Sequence, residues 1–322
     1  MDLIAELNTK ISSLKEGEYI LGLKAVVRHI EAGFSHIARA KQTGDTSAYT
    51  DAVFRANQAF EGSIKEAYRV LANKNPAHKT IHEIETFLEE NEIVKERVRS
   101  LFTNYRQDWR NPSTHDYRLQ FDETEGFLAC LSVASFAYIL IDRILIETGI
   151  HESTNQNQSF RTKAVQEDEP SSSDPLKDQV FNALLRLPPE LHLEKEVHEL
   201  QVVGIIAGFL QSKLSSAEIK VEETIGSSQK RTFATPDILI GSRTELVVVE
   251  VKLNFSSTIL RNAIDQVRTY QNIANAKDGF VIFTGKEIVP AFDLNSSFGG
   301  APGTIHVFAP REYKAAKVFR EN

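Results

Sequence analysis

The stretch TPDILIGSRTELVVVEVKL, Thr235–Leu253, decides how the C-terminal half of the chain is read. Two runs of Ile, Leu and Val flank the polar segment Gly241-Ser-Arg-Thr244, which predicts a β-hairpin. A four-residue turn would set Ile240 opposite Glu245, and the antiparallel ladder then brings Asp237 opposite Val248. Side chains alternate faces along a strand, so Asp237, Val248, Glu250 and Lys252 fall on one face and Val247, Val249 and Val251 on the other. In that register Asp237 and Glu250 are diagonal neighbours, roughly 7 to 8 Å apart. A one-residue slip would disperse the cluster.

Two carboxylates that meet at a strand end can share a Mg²⁺ or Mn²⁺ ion, which takes hard oxygen ligands and keeps waters beside a phosphate. Such a cation acidifies a bound water, and the Lys252 ammonium can hold that water or offset the charge of the transition state. These residue types therefore suit phosphodiester hydrolysis. Glu-x-Lys alone is common on solvated strand faces; the Pro-Asp on the preceding strand separates this case from that one.

Around the hairpin the order of elements predicts an α/β domain with a mixed sheet flanked by helices. Helices are expected over Leu176–Leu187, about Leu191–Leu214 and about Thr258–Ala274. Strands are expected at Glu218–Thr224, GFVIFT (279–284) and TIHVFA (304–309). Pro236-Asp237 followed by Glu250-Val251-Lys252 resembles the PD-(D/E)XK motif of restriction-endonuclease-like nucleases. That resemblance implies a DNA endo- or exonuclease in which Asp237, Glu250 and the Val251 carbonyl bind the metal and Lys252 assists catalysis. Gln266 and Tyr270 match the Gln-x-x-x-Tyr element of exonuclease-type members. Glu199 stands where many members place a further metal-binding acid, with Glu196 as its competitor.

Residues 1–150 follow a helical period. Tyr19, Leu23, Val26, Ile30, Phe34 and Ile37 recur every three or four residues, as do Val53, Ala56, Phe60, Ile64, Ala67 and Leu71. Thr80 with Glu83, and Asp122 with Glu125, are capping-box patterns that open a third and a fourth helix. The third is expected to run through Tyr105 and the fourth to end near Gly149, giving a four-helix antiparallel bundle. Residues 151–175 are polar and predict a linker to the domain at 176–322.

Within this half, Trp109-Arg110-Asn111-Pro112-Ser-Thr-His115-Asp-Tyr117 predicts a helix end and a proline turn, since Pro112 disfavours helical geometry at Asn111. Arg110 and His115 would converge across that turn and supply a phosphate-binding cation and an acid or base near neutral pH. The segment resembles the Arg-x4-6-His motif of HEPN domains, all-helical modules frequent in toxins and prokaryotic antiviral systems. The resemblance implies a homodimer, RNA binding or metal-independent RNA cleavage, with Arg110 on phosphate and His115 as acid or base. Asn111, Tyr117, Glu61 and Lys65 are expected in support. Combined with the nuclease half, it implies a part in defence against phage or foreign DNA, with a partner protein from such a system.

Three functions stay open on the sequence: a metal-dependent nuclease, a non-cleaving nucleic-acid-binding or regulatory dimer, and a ribonuclease toxin with a silent C-terminal half. The 322 residues carry a net charge of −7, so bulk charge does not announce nucleic acid. One cysteine, Cys130, excludes a disulfide framework and a cysteine-based zinc site, and with no secretory start the expectation is a cytoplasmic protein. Phe127–Ile146 is apolar enough for a membrane span, but Ser132, Ser135, Asp142 and Arg143 predict the central helix of a bundle instead. Histidines 78, 82, 151, 192, 198 and 306 show no metal-ligand spacing, no Walker-type loop occurs, and the glycine-rich FGGAPG (298–303) predicts a flexible loop.

Overall fold

The computed structural model describes residues 2–14, 17–91, 93–94, 96–115, 118–161, 174–187, 197–227, 232–242, 244–285 and 287–314. They form two compact units, Met1–Leu145 and Ile146–Asn322. The first is helical; the second is a mixed sheet with flanking helices.

In the helical unit, α1 (Leu3–Ser13), α2 (Glu18–Thr43) and α3 (Ser47–Leu71) precede α4 (Ile81–Glu90) and α5 (Glu96–Tyr105). The third expected helix is thus broken in two. A π-helical turn, Arg106–Arg110, leads into α6 (Asn111–His115), and α7 runs from Glu123 to Arg161. The apolar spacing read from the sequence is the buried face: Leu23, Val26 and Ile30 of α2, and Val53, Ala56, Phe60 and Ile64 of α3, are nearly inaccessible. Both capping boxes form. Thr80 Oγ1 accepts the Glu83 N–H (3.2 Å) while Glu83 accepts the Thr80 N–H (2.9 Å), and Asp122 and Glu125 exchange the same two bonds at 2.9 Å.

Helix α7 is long and apolar enough to cross a membrane, and most of its apolar stretch is buried within the protein. It does not stop at Gly149. It continues through 150–161, into the segment expected to be a linker; residues 162–173 of that segment lie outside the described residues. Packing explains the continuation. A Cβ on Gly149 would lie 2.2 Å from the Gln201 carbonyl oxygen, and one on Gly204 would lie 2.1 Å from that of Ile146. Both partners belong to the second unit, where α9 (Glu199–Lys213) meets the end of α7 backbone to backbone. Glycine sits inside these helices because nothing larger fits the crossing.

The six-stranded sheet has the order β1 (Glu218–Val221), β4 (Ile238–Gly241), β5 (Leu246–Lys252), β6 (Asp278–Phe283), β8 (Ala301–Pro310) and β7 (Ile288–Phe298). Strands β5, β6 and β8 run parallel, while β1–β4, β4–β5 and β7–β8 are antiparallel. A separate hairpin, β2 (Ile225–Ser227) with β3 (Thr232–Ala234), lies between β1 and β4 in sequence. One sheet face packs on α8 (Leu176–Leu185) and α9 through Val247, Val249 and Val251. The other packs on α10 (Ser257–Ala274) through Val248, Val281 and Val307. A last turn, α11 (Arg311–Lys314), follows β8.

Strand β7 was not expected, and FGGAPG is no flexible loop. Phe298 pairs with Ala301 across Gly299 and Gly300, whose φ values of +52° and +85° suit a tight two-residue hairpin turn.

Candidate functional site

The β4–β5 ladder pairs Ile240 with Val247, Leu239 with Val248 and Ile238 with Val249. This is two residues from the expected register. Gly241 belongs to the strand and pairs with Leu246, so the reversal starts one residue later, where the Ser242 N–H donates to the Glu245 carbonyl (2.9 Å). A shift of two preserves which face each side chain takes. Continued by one pair, the ladder brings position 237 level with 250 rather than diagonal to it. At that point the backbone leaves the ladder, and Oδ2 of Asp237 accepts the Val251 N–H at 2.7 Å in place of a main-chain carbonyl. The hydrogen bond fixes the first acid against the strand that carries the second.

Glu250 is 2% exposed because β5 lies between β4 and β6 with α10 across that face. Its Oε1 lies 2.6 Å from Nζ of Lys252, two residues along the same face. Lys252 ends the strand, and its ammonium also reaches Oε1 of Glu199, the first residue of α9, at 3.3 Å. From α10, the buried Tyr270 hydroxyl interacts with the Glu250 carboxylate, and Gln266, one turn earlier and exposed, interacts with that hydroxyl. Even so, Oε2 of Glu250 is buried without a hydrogen bond of ordinary geometry. Such an oxygen is costly to keep unless something else completes it.

Burial and neighbouring charge act together on the ionisable groups around Glu250. Burial, then the Glu250 charge, pushes the Asp237 carboxyl well above the usual carboxylate range, against the Val251 N–H and Lys252, which favour the anion. Burial raises Glu250 as well, with Lys252 opposing. Burial would lower Lys252, but Glu250, Asp237 and Glu199 more than offset it and hold the ammonium protonated. Burial and the two acids raise the Tyr270 hydroxyl. Asp237, Glu250, Lys252, Glu199, Gln266 and Tyr270 therefore form one interacting group.

Among the described residues no three His, Cys, Asp or Glu side chains group closely enough to form a metal cluster by themselves. The donor set here is two carboxylates with the Val251 backbone beside them. This fits Mg²⁺, which is commonly held by one or two carboxylates and otherwise keeps water, and the unsatisfied Oε2 of Glu250 is a vacant hard donor. Glu196 lies outside the described residues.

In the helical unit the expected proline turn is absent. Asn111 is helical (φ −69°, ψ −48°), and its N–H donates to the carbonyl of Arg106, five residues back. The wider turn carries the helix past Pro112, which has no N–H to offer. Arg110 pairs with Oε1 of Glu61 at 3.2 Å and with Oδ1 of Asn111 at 3.1 Å. Ser113 fixes the turn: it donates to the Arg110 carbonyl and accepts from Asn57, which in turn accepts from Tyr105. Lys65 lies one turn after Glu61 on α3 and is half-buried. His115 closes α6, with its side chain outside the described atoms, and Tyr117 lies outside the described residues. Sequence reasoning passed over Arg106 and Glu85 and weighed His82 only as a metal ligand; His82 and Arg106 line a cleft with Arg110, and Glu85 pairs with Arg106. Only their contact across α4 and the π-helical turn marks them, and no local spacing does.

Compared with known proteins, the chain matches no family model, no curated protein and no solved structure.

Proposed function

We propose that the C-terminal unit is a divalent-cation-dependent nuclease, acting on DNA in the first place, with Asp237, Glu250 and the Val251 carbonyl as the holders of Mg²⁺ or Mn²⁺. The observation that carries this reading is the buried Oε2 of Glu250, left without a hydrogen bond beside a second carboxyl whose ionisation it opposes. A purely structural acid pair gains nothing from this arrangement, because buried like charges destabilise a fold unless a cation joins them. When bound, that cation supplies a Lewis acid for the phosphate and a more acidic water.

The chain's own residues do the rest. Asp237 is held in place by the Val251 N–H, which removes the freedom of its carboxylate before substrate arrives. Lys252 presents a fixed positive charge, anchored by Glu250 and Glu199, toward the charge that develops on a phosphate undergoing attack. The buried Tyr270 hydroxyl holds the Glu250 carboxylate, and the exposed Gln266 extends the polar surface along α10 toward a nucleic-acid backbone. In the helical unit, the expectation of a second, metal-independent site rests on His115.

The test is cleavage of double-stranded DNA, single-stranded DNA and RNA by the wild type, Asp237→Ala and His115→Ala, each in Mg²⁺ and in EDTA. The expected result is DNA cleavage in Mg²⁺ that is lost in EDTA and in Asp237→Ala and kept in His115→Ala. Cleavage of DNA by Asp237→Ala, or in EDTA, overturns the proposal. RNA cleavage that survives EDTA and fails only in His115→Ala moves the activity to the helical unit.

A further inference from the structure

The helical unit holds a cleft that the nuclease reading does not use. It opens between α4 and the stretch from α5 through the π-helical turn, and its two ends differ. The outer end is lined, among the described residues, by His82, Arg106, Gln107, Arg110 and Asn111, with Thr80 and Ile81 at the start of α4. The inner end shares His82 and Arg106 but adds Glu85 and Glu89 over Leu88, Val94 and Phe102. The outer end encloses about 370 Å³, within the range that accepts a small ligand, and the inner end about 80 Å³, space for the edge of a ring.

The two arginines are each paired with a glutamate, Arg106 with Glu85 and Arg110 with Glu61. Guanidinium groups fixed in this way are preorganised for a phosphate. Glu85 is only half satisfied: Oε2 takes Arg106, whereas Oε1 is buried with no hydrogen bond. Burial raises its carboxyl, against the opposing charge of Arg106. A ligand that fits both ends carries an anion at one and an N–H donor on a flat apolar body at the other.

We propose that this cleft binds a nucleoside phosphate whose base bears an exocyclic amino group, with the phosphate on Arg106, Arg110 and His82 and the amino group on Oε1 of Glu85. The site is separate from the carboxylate pair and does not depend on it. A free nucleotide and the 5′-phosphorylated end of an RNA share this chemistry.

Calorimetric titration of the full chain in EDTA, which keeps the Asp237–Glu250 site empty of metal, tests the proposal. The ligands are AMP, CMP, UMP, adenosine, and a CCC trinucleotide RNA with and without its 5′-phosphate. AMP and CMP should bind saturably, with UMP and adenosine each about tenfold weaker, the loss expected for one hydrogen bond to a charged group. Glu85→Met, which removes the acceptor, should abolish the preference of AMP over UMP. His82→Ala, at an exposed position that folding does not need, should weaken every phosphorylated ligand severalfold. A phosphorylated trinucleotide that binds more tightly than CMP assigns the ligand to RNA, and the reverse assigns it to the free nucleotide. No saturable binding of any phosphorylated ligand, or a preference for AMP that Glu85→Met leaves intact, overturns the proposal.

Discussion

Lys252 holds its ammonium 2.6 Å from Oε1 of Glu250, a pair formed by two residues on the same face of one strand. The glutamate is buried and the lysine is the group that makes its charge tolerable. Lys252→Met should therefore destabilise the metal-free protein by about 3 kcal/mol, since it leaves a buried acid unpaired. Adding Glu250→Gln to that variant should recover most of the loss. Urea denaturation in EDTA of the two single variants and the double variant measures the coupling, and additive effects would contradict it.

Asp237 gives the opposite sign. Its carboxyl is raised from the ordinary value near 4 to about 8, first by burial and then by Glu250. Between those values the folded protein binds more protons than the unfolded one, so metal-free stability falls as pH rises through the window. Asp237→Asn, which keeps an oxygen for the Val251 N–H, should remove that slope and raise the melting temperature at pH 8. Melting curves from pH 5 to 8 in EDTA check this, and an Asn variant less stable than wild type at pH 8 would count against it.

The crossing of α7 and α9 makes a prediction about the fold alone. Gly204→Ala forces a methyl group against the Ile146 carbonyl, where the structure leaves 2.1 Å. Helix propensity favours alanine by about 1 kcal/mol, yet the clash with backbone should cost more, for a net loss of roughly 2 kcal/mol. A stabilised Gly204→Ala variant would show that the two helices do not approach as described.

His306, two strands from β5 and on the sheet face opposite Glu250, offers a second pH test. Its Nδ1 lies 2.8 Å from Oδ1 of Asp293, its cross-strand partner, and its Nε2 lies 3.7 Å from Asp278. Burial would lower it, but both aspartates raise it to a net upward shift. The stabilisation is therefore complete below the ordinary histidine value near 6.5 and is lost as pH rises through the higher folded value. Because Asp293 is largely exposed, about 1 kcal/mol is expected. The stability difference between wild type and His306→Gln should shrink between pH 6 and 9; a difference that grows with pH would reverse the assignment.

The face that carries the two acids and Lys252 was legible in the sequence because it depends only on strand parity. An error of two residues in register left Asp237, Glu250 and Lys252 on the same side. The capping boxes were legible because they are local. The end of α7 was not: Gly149 resembles a helix stop, and its role as a contact point for α9 exists only once the two helices are packed. Strand β7 escaped notice for a similar reason. It is an edge strand, Pro290 interrupts it at a bulge, and 293–297 alternate only between exposed and half-buried. At Pro112 the local rule was overridden, because a π-helical turn let the chain stay helical where proline ordinarily ends a helix.

The central claim is that Asp237 and Glu250 together hold a divalent cation. Titration of Mn²⁺ into the full chain, followed by the electron paramagnetic resonance signal of free Mn²⁺, tests it without reference to any substrate. The account predicts a site of one ion per chain in the wild type, displaced by Mg²⁺ and lost in Asp237→Asn and in Glu250→Gln. A wild type that binds no Mn²⁺, or variants that bind it as well as the wild type does, would contradict the account.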